Sequence, residues 1–168
     1  MPGEPGRGSA ATEADRRWLC EAIELSRCSP PSASAFAVGA VVVAADGTVL
    51  ATGYSREGGP KDHAEEVALA KLGPDLGLGG VVGSGLAERG VTIYSSLEPC
   101  RFRASRPRPC AELIIEAGLR RVVIAWLEPP LFAAGGGAGL LRAAGVTVVE
   151  IGGLAAEARA VNAAVLGE

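Results

Sequence analysis

The sequence predicts a three-layer α/β/α fold built on a five-stranded mixed sheet, and three observations carry that expectation. Two runs of β-forming residues, Val38 to Ala44 and Thr48 to Ser55, flank the turn Ala45-Asp46-Gly47 and read as a hairpin. From Val91 onward, strand-like and helix-like segments alternate, which calls for crossover helices and parallel strands with helices on both faces. The chain has 168 residues, 48 % of them apolar, enough for one domain around one core.

Each element follows from local pattern. Glu13 to Ser26 is expected to be a helix, because Trp18, Leu19, Ala22, Ile23 and Leu25 recur at near-helical spacing. Cys20 falls inside that apolar pattern and reads as a small core residue. Asp15, Arg16 and Arg17 read as its solvated start. The Pro- and Ser-rich stretch from Cys28 to Ser34 ends the helix. After the hairpin, Ser55 to Asp62 is a loop and His63 to Leu72 a second helix. Gly73 to Gly90 is a glycine-rich loop with a short helical turn near Leu86. Val91 to Ser96 is the third strand. Leu97 to Pro109 holds three prolines and four arginines and no regular element. Cys110 to Ala117 is a helix closed by Gly118. Arg121 to Trp126 is the fourth strand, and Glu128 to Gly139 a Pro-then-Gly loop. Leu140 to Ala144 makes a short helix that Gly145 ends. Val146 to Ile151 is the fifth strand and Leu154 to Leu166 the last helix. Met1 to Thr12, rich in Gly, Pro and Glu, is expected to be a disordered lead-in to a single domain over 13–168.

Composition excludes several function classes. A net charge of −3 argues against broad binding to nucleic acid polymers, which needs surplus Lys and Arg. Aromatics, at 4 %, leave little surface on which bases could stack. No apolar run approaches the ~20 residues of a membrane span. The first residues lack the apolar stretch of a secretory signal, so a cytoplasmic location is expected. There are four cysteines, Cys20, Cys28, Cys100 and Cys110. Without a secretory signal, a metal or reactive role outranks a disulfide framework.

The one histidine sits in Asp62-His63-Ala64-Glu65, and Glu98-Pro99-Cys100 and Pro109-Cys110 follow. One His and two Cys make the three protein ligands of a catalytic zinc, whose fourth position is left to water. A structural zinc would want a fourth protein ligand, and neither Cys20 nor Cys28 stands at a metal-like spacing. A His with a Glu two residues on, then a Pro-Cys, then a second Cys, resembles the zinc-deaminase signature. In that signature the Glu moves protons and does not bind metal. His63, Cys100 and Cys110 are therefore the candidate ligands of one zinc per chain, and Glu65 the candidate proton shuttle. Cys110, at a helix start, is expected to have its thiol shifted toward the thiolate by the positive end of the helix. Glu65 has a competing role: Asp62 and Glu65 stand at the spacing of an N-cap and the third helical position, where a carboxylate merely closes the helix. Residues two apart on a helix also point ~200° apart, so His63 and Glu65 reach one metal only if the helix end aims at it.

Beyond the ligands, Val38-Gly39-Ala40-Val41-Val42-Val43, Gly53-Tyr54, His63-Ala64-Glu65, Ser96-Leu97-Glu98-Pro99-Cys100 and Pro109-Cys110-Ala111 resemble the cytidine-deaminase superfamily. The branch they most resemble is the deaminase domain of the bifunctional riboflavin-biosynthesis deaminase/reductase. Glu128-Pro129-Pro130, Leu141-Arg142-Ala143-Ala144-Gly145-Val146 and Glu157-Ala158-Arg159-Ala160-Val161-Asn162 resemble its later segments. The likeness runs from about Phe36 to Leu166.

It implies the cytidine-deaminase-like fold, the ligand and shuttle roles above, and a homodimer or homotetramer. It also implies a small-molecule substrate, a diaminopyrimidinone carrying a ribosylamino 5′-phosphate. Substrate contacts implied by position are Ala35, Phe36, Ser55, Ala64 and Arg106. Three departures bear on the substrate. Ala35 stands where that branch has a substrate-binding Asn. Ser55 stands where it has a His after Gly-Tyr. Arg101 to Ser105 replaces a Ser-His-x-Gly segment and is one residue longer. Arg106 matches a basic position near the phosphate, and guanidinium forks suit phosphate. No reductase domain is expected. A cytidine or deoxycytidylate deaminase, or another nucleobase deaminase of secondary metabolism, is the same-chemistry alternative, and a catalytically silent zinc-binding partner protein the alternative of another class. Trp126, at a strand end, is expected to pack in the core or at the rim.

Overall fold

An interior strand, β1 (Gly39–Val43), is buried along its whole length, which is why its sequence is an unbroken small and apolar run. β2 (Val49–Tyr54) pairs with it antiparallel and forms one edge of the sheet, so its residues alternate between buried and more exposed. β3 (Thr92–Ser95) lies antiparallel on the other side of β1. β4 (Arg121–Ile124) and β5 (Thr147–Glu150) continue from it in parallel, giving the order β2-β1-β3-β4-β5. This is the five-stranded mixed sheet expected. The computed structural model describes residues 10–73, 84–129 and 136–168. Most of the lead-in expected over 1–12, part of the Gly73–Gly90 loop and the middle of the Glu128–Gly139 loop lie outside the described residues.

The helices fall on two faces. α1 (Glu13–Ser26) packs on β1 and β3, with α6 (Ala155–Val161) beside it. α2 (Ala64–Lys71) packs on β1 and β2, next to α4 (Cys110–Glu116) and then α5 (Gly137–Ala143). A short helix, α3 (Ser84–Glu88), precedes β3, and α7 (Ala163–Leu166) closes the chain. Gly53 fixes how closely α2 approaches the sheet. A Cβ there would lie 2.4 Å from the Ala64 carbonyl oxygen, so only glycine lets the start of α2 sit flush on β2. Among the described residues no helix is long and apolar enough to cross a membrane.

Three expectations need correction. Cys20 is exposed, because the buried stripe of α1 runs through Asp15, Leu19, Ala22, Ile23 and Ser26 and leaves Cys20 about a quarter-turn away. Asp15 is not solvated but 2 % exposed. It takes two hydrogen bonds from the Arg121 guanidinium, both 2.7 Å, and one from the Tyr94 hydroxyl at 2.9 Å. The last helix is broken at Asn162. There the Nδ2 amide donates to the Ala158 carbonyl at 3.1 Å, while the Asn162 backbone N–H turns to Arg159. The same side chain accepts from Ala37 N–H at 2.7 Å and donates to Ala37 O at 3.0 Å, tying the C-terminal helices to the strand entering β1.

Candidate metal centre and active site

The candidate site residues gather at one end of the strands. Because β1 is antiparallel to β2 and β3, its start meets their ends: Gly39 lies opposite Tyr54, and Ala40 opposite Ser95. The chain leaves β3 and β4 at this end, where open α/β sheets form crevices. The starts of α2 and α4 point to the same place.

His63 is the N-cap of α2, in extended conformation (φ −96°, ψ 150°), not its first helical residue. That corrects Asp62 as the cap. Glu66 then occupies the third helical position, and its Oε2 accepts from His63 N–H at 3.3 Å. Glu66 closes the helix, and Glu65 is released from that duty. Asp62 instead accepts from Gly58 N–H at 3.1 Å and pairs with Arg106 at 2.9 Å. The extended cap also removes the ~200° objection, because His63 does not share the helical rotation that governs Glu65.

His63, Cys100 and Cys110 offer ligand atoms that all lie within 4.8 Å of one another. Cys110 Sγ is 3.4 Å and Cys100 Sγ 3.6 Å from His63 Nδ1. A tetrahedral zinc with ordinary bond lengths holds sulfur and nitrogen ligands ~3.5 Å apart, so these two spacings suit that ion. Among the described residues no fourth His, Cys, Asp or Glu joins the group, which leaves a coordination position for water or substrate. The first amide of α4 serves the other cysteine. Cys110 N–H, the first free amide of α4, donates to Cys100 Sγ at 3.3 Å. A hydrogen bond from the Cys110 thiol, with help from His63 and that amide, pulls Cys100 down to about 4. Sharing the proton with Cys100, together with burial, pushes Cys110 up.

Glu65 is 3 % exposed, and its Oε1 accepts from the Ser95 hydroxyl at 2.8 Å. Burial raises its carboxyl above the ordinary range, which suits a group that must both take and give a proton. A cavity of about 300 Å³ opens beside these groups, and His63, Glu65 and Cys100 stand in its wall. Of the expected substrate contacts, Ala35, Phe36 and Ser55 line it, whereas Ala64 and Arg106 do not. Ser55 Oγ accepts from Val38 N–H at 2.9 Å. Arg106 is committed to Asp62 and, at 3.2 Å, to Glu66. Trp126 is buried behind Phe36, edge-on with ring centroids 5.5 Å apart, so it backs the wall rather than forming it.

Four further lining residues are not among the substrate contacts expected by position. Arg103, not Arg106, turns inward: its side chain is 3 % exposed and it binds Glu66 at 3.1 Å and Lys61 O at 2.5 Å. Glu98 accepts from Glu128 N–H, Gly136 N–H and Ala138 N–H at 3.2, 2.8 and 3.2 Å. It thus ties the segments on either side of 130–135 to the turn carrying Cys100. Arg56 spans to Pro30 O and Phe36 O. Glu128 has a buried Oε2 without a hydrogen-bond partner among the described residues, and burial pushes its carboxyl up to about 8. Glu98, within Glu98-Pro99-Cys100, and Glu128, within Glu128-Pro129-Pro130, both lie in motifs visible in the sequence.

The model of the cytidine and deoxycytidylate deaminase zinc-binding region matches residues 12–126. The diaminohydroxyphosphoribosylamino-pyrimidine deaminase of Schizosaccharomyces pombe is 36 % identical over 136 residues, covering 79 % of this chain and 31 % of that protein. The riboflavin biosynthesis protein RibD of Aquifex aeolicus is 38 % identical over 125 residues, 74 % of this chain and 31 % of that one. The chain thus spans under a third of the length of these relatives. Among solved structures, Acinetobacter baumannii RibD superposes with a TM-score of 0.71 at 30 % identity, over 92 % of this chain and 40 % of that one. The Rib2 deaminase of Aspergillus oryzae, a C-terminal deletion mutant, superposes at 0.74 with 26 % identity, over 93 % and 100 %.

Proposed function

The chain belongs to the cytidine and deoxycytidylate deaminase zinc-binding family, and on that premise we propose that it is a zinc-dependent hydrolytic deaminase. Its substrate in this reading is an aminopyrimidine, foremost the phosphorylated diaminopyrimidinone named for its relatives. The observation that carries the reading is the placement of Glu65, a buried carboxylate freed from helix capping, in one cavity wall with His63 and Cys100.

His63, Cys100 and Cys110 would hold the zinc. When bound, it supplies the Lewis acidity that makes water a nucleophile near neutral pH. Glu65 takes a proton from the attacking water as the new C–O bond forms, and delivers it to the neighbouring ring nitrogen. It carries the second proton to the exocyclic amine, the C–N bond breaks, and ammonia leaves a ring carbonyl behind. Ser95 holds Glu65 Oε1 in place through these transfers. Phe36, braced by Trp126, offers a flat apolar wall for the ring. Ammonia release from the diaminopyrimidinone phosphate by the zinc-loaded protein tests the reading.

A cytidine-type substrate is the second reading, favoured by Ala35, which offers a methyl where the riboflavin branch has an amide. Competition between the two compounds separates them. A homodimer or homotetramer in the cytoplasm completes the proposal, and light scattering of the purified protein tests the assembly.

A further inference from the structure

We propose that Arg56 and Lys61 hold the anionic end of the substrate, a phosphate monoester, at the mouth of the cavity, and that Arg106 supports the wall behind it. This rests on the aminopyrimidine-deaminase reading, since it says where that substrate's charged end sits.

The inference comes from following each positive charge near the cavity to its partner. Arg106 lies outside the lining and binds two carboxylates, Asp62 and Glu66. Arg103 lines the cavity, but its charge is matched by Glu66 and its remaining bonds go to Lys61 O and Ser105 Oγ. Arg56 and Lys61 are different. Arg56 donates only to neutral carbonyls, twice to Pro30 O at 3.0 and 2.6 Å and once to Phe36 O at 3.1 Å. A guanidinium has five N–H groups, so two remain. Lys61 is exposed on the same rim, and its ammonium has no partner among the described residues. Neither residue forms an ion pair with any described carboxylate. Two unmatched cations on one cavity rim are an attraction for an anion.

The backbone holds this pair in place. Arg56 has φ 62°, the left-handed region that a long side chain keeps only when its surroundings hold it there. Here the Arg56 N–H donates to Asp62 O at 2.9 Å, closing the 56–62 loop on itself. That closure sets Arg56 and Lys61 on one short rim. It also explains Arg106. Asp62 lines the same rim and would repel a phosphate; the Arg106 ion pair cancels that charge from outside. The other acids of the cavity, Glu65, Glu98 and Glu128, belong to the elements around the metal ligands. The cavity is therefore acidic where the ring reacts and basic at the mouth.

The test measures kcat/KM on diaminohydroxyphosphoribosylaminopyrimidine with and without its phosphate, using wild type, Lys61→Ala, Lys61→Arg and Arg106→Ala, all zinc-loaded. Loss of a charge-assisted contact predicts a drop of about tenfold or more for Lys61→Ala on the phosphorylated compound. The dephosphorylated compound should be nearly unaffected, and Lys61→Arg should recover most of the loss. Arg106→Ala should slow both compounds by a similar factor. Equal losses on both compounds for Lys61→Ala, or a phosphate-selective loss for Arg106→Ala, overturns the proposal while leaving the deaminase reading intact. If wild type turns over neither compound, that reading of the substrate fails, and calorimetric titration with ribose 5-phosphate still decides the anion site. Binding weakened by Lys61→Ala supports it, and binding that is absent or unchanged overturns it.

Discussion

Glu98 offers a test of how the metal turn is held. Its side chain is 5 % exposed, and its two oxygens divide three backbone donors. Oε1 accepts from Gly136 and Ala138 N–H, and Oε2 from Glu128 N–H. Glu98→Gln keeps the shape but replaces one acceptor with a donor. The amide oxygen would be expected to face Gly136 and Ala138, leaving an NH₂ against the Glu128 N–H. One charge-assisted bond, worth about 1.5–3 kcal/mol, is lost, and the other two fall to neutral strength, about 1 kcal/mol less each. The expected destabilisation is about 3.5–5 kcal/mol. For a chain of this size that lowers Tm by roughly 7–20 °C. Glu98 stands two residues before Cys100, so zinc affinity should fall with it. Urea unfolding of the wild-type and variant proteins, both at saturating zinc, measures the first effect, and competition with a chromogenic chelator the second. Stability within about 0.5 kcal/mol of wild type, the range of an ordinary surface change, would refute the tether.

Glu65→Gln should keep zinc and lower kcat at least ~10²-fold, the scale of a positioned acid/base; single-turnover ammonia release checks it, and near-normal turnover would leave Glu65 without a chemical role. Asp15→Asn should cost about 3 kcal/mol at neutral pH by leaving Arg121 unpaired. Burial alone would raise the Asp15 carboxyl, but the Arg121 hydrogen bonds, with Thr12 and Tyr94, hold it well below its ordinary 3.8. The wild-type advantage is thus full above pH 3.8 and fades as pH falls toward the depressed value, so unfolding curves of the two proteins should converge in acid. Curves that stay equally separated at low pH would contradict the linkage. Gly137→Ala should weaken both folding and zinc retention, because its Cβ would lie 1.7 Å from the Pro99 carbonyl oxygen, beside Cys100. Dialysis against a chelator that strips the variant no faster than wild type would count against it.

Much of this molecule was legible from local pattern. The β1–β2 hairpin, the alternation after β3 and the pairing of His63 with Cys100 and Cys110 all depend on residues near one another or on a motif. What escaped depends on distant partners. Asp15 looked solvated because Arg121, which buries it, is 106 residues away. The break at Asn162 is set by Ala37, 125 residues away. Asp62 reads as the cap because Asp is a preferred N-cap residue, yet His63 takes the extended cap position and Glu66 closes the helix in place of Glu65. Among four arginines in one loop, the sequence offered no means of telling that Arg103 points inward and Arg106 does not. Nor does spacing show that the first free α4 amide points at Cys100, since that direction is a property of the folded turn.

The most direct test of the whole account is ammonia release by the zinc-loaded protein, measured enzymatically with the diaminopyrimidinone phosphate, cytidine, deoxycytidylate and guanine. Each compound is run against the metal-stripped protein. The account predicts one equivalent of zinc per chain and stoichiometric ammonia from a pyrimidine, foremost the diaminopyrimidinone phosphate. That activity should be lost on chelation and recovered with added zinc. Full zinc occupancy with no ammonia from any pyrimidine, or turnover that survives removal of the metal, would contradict it.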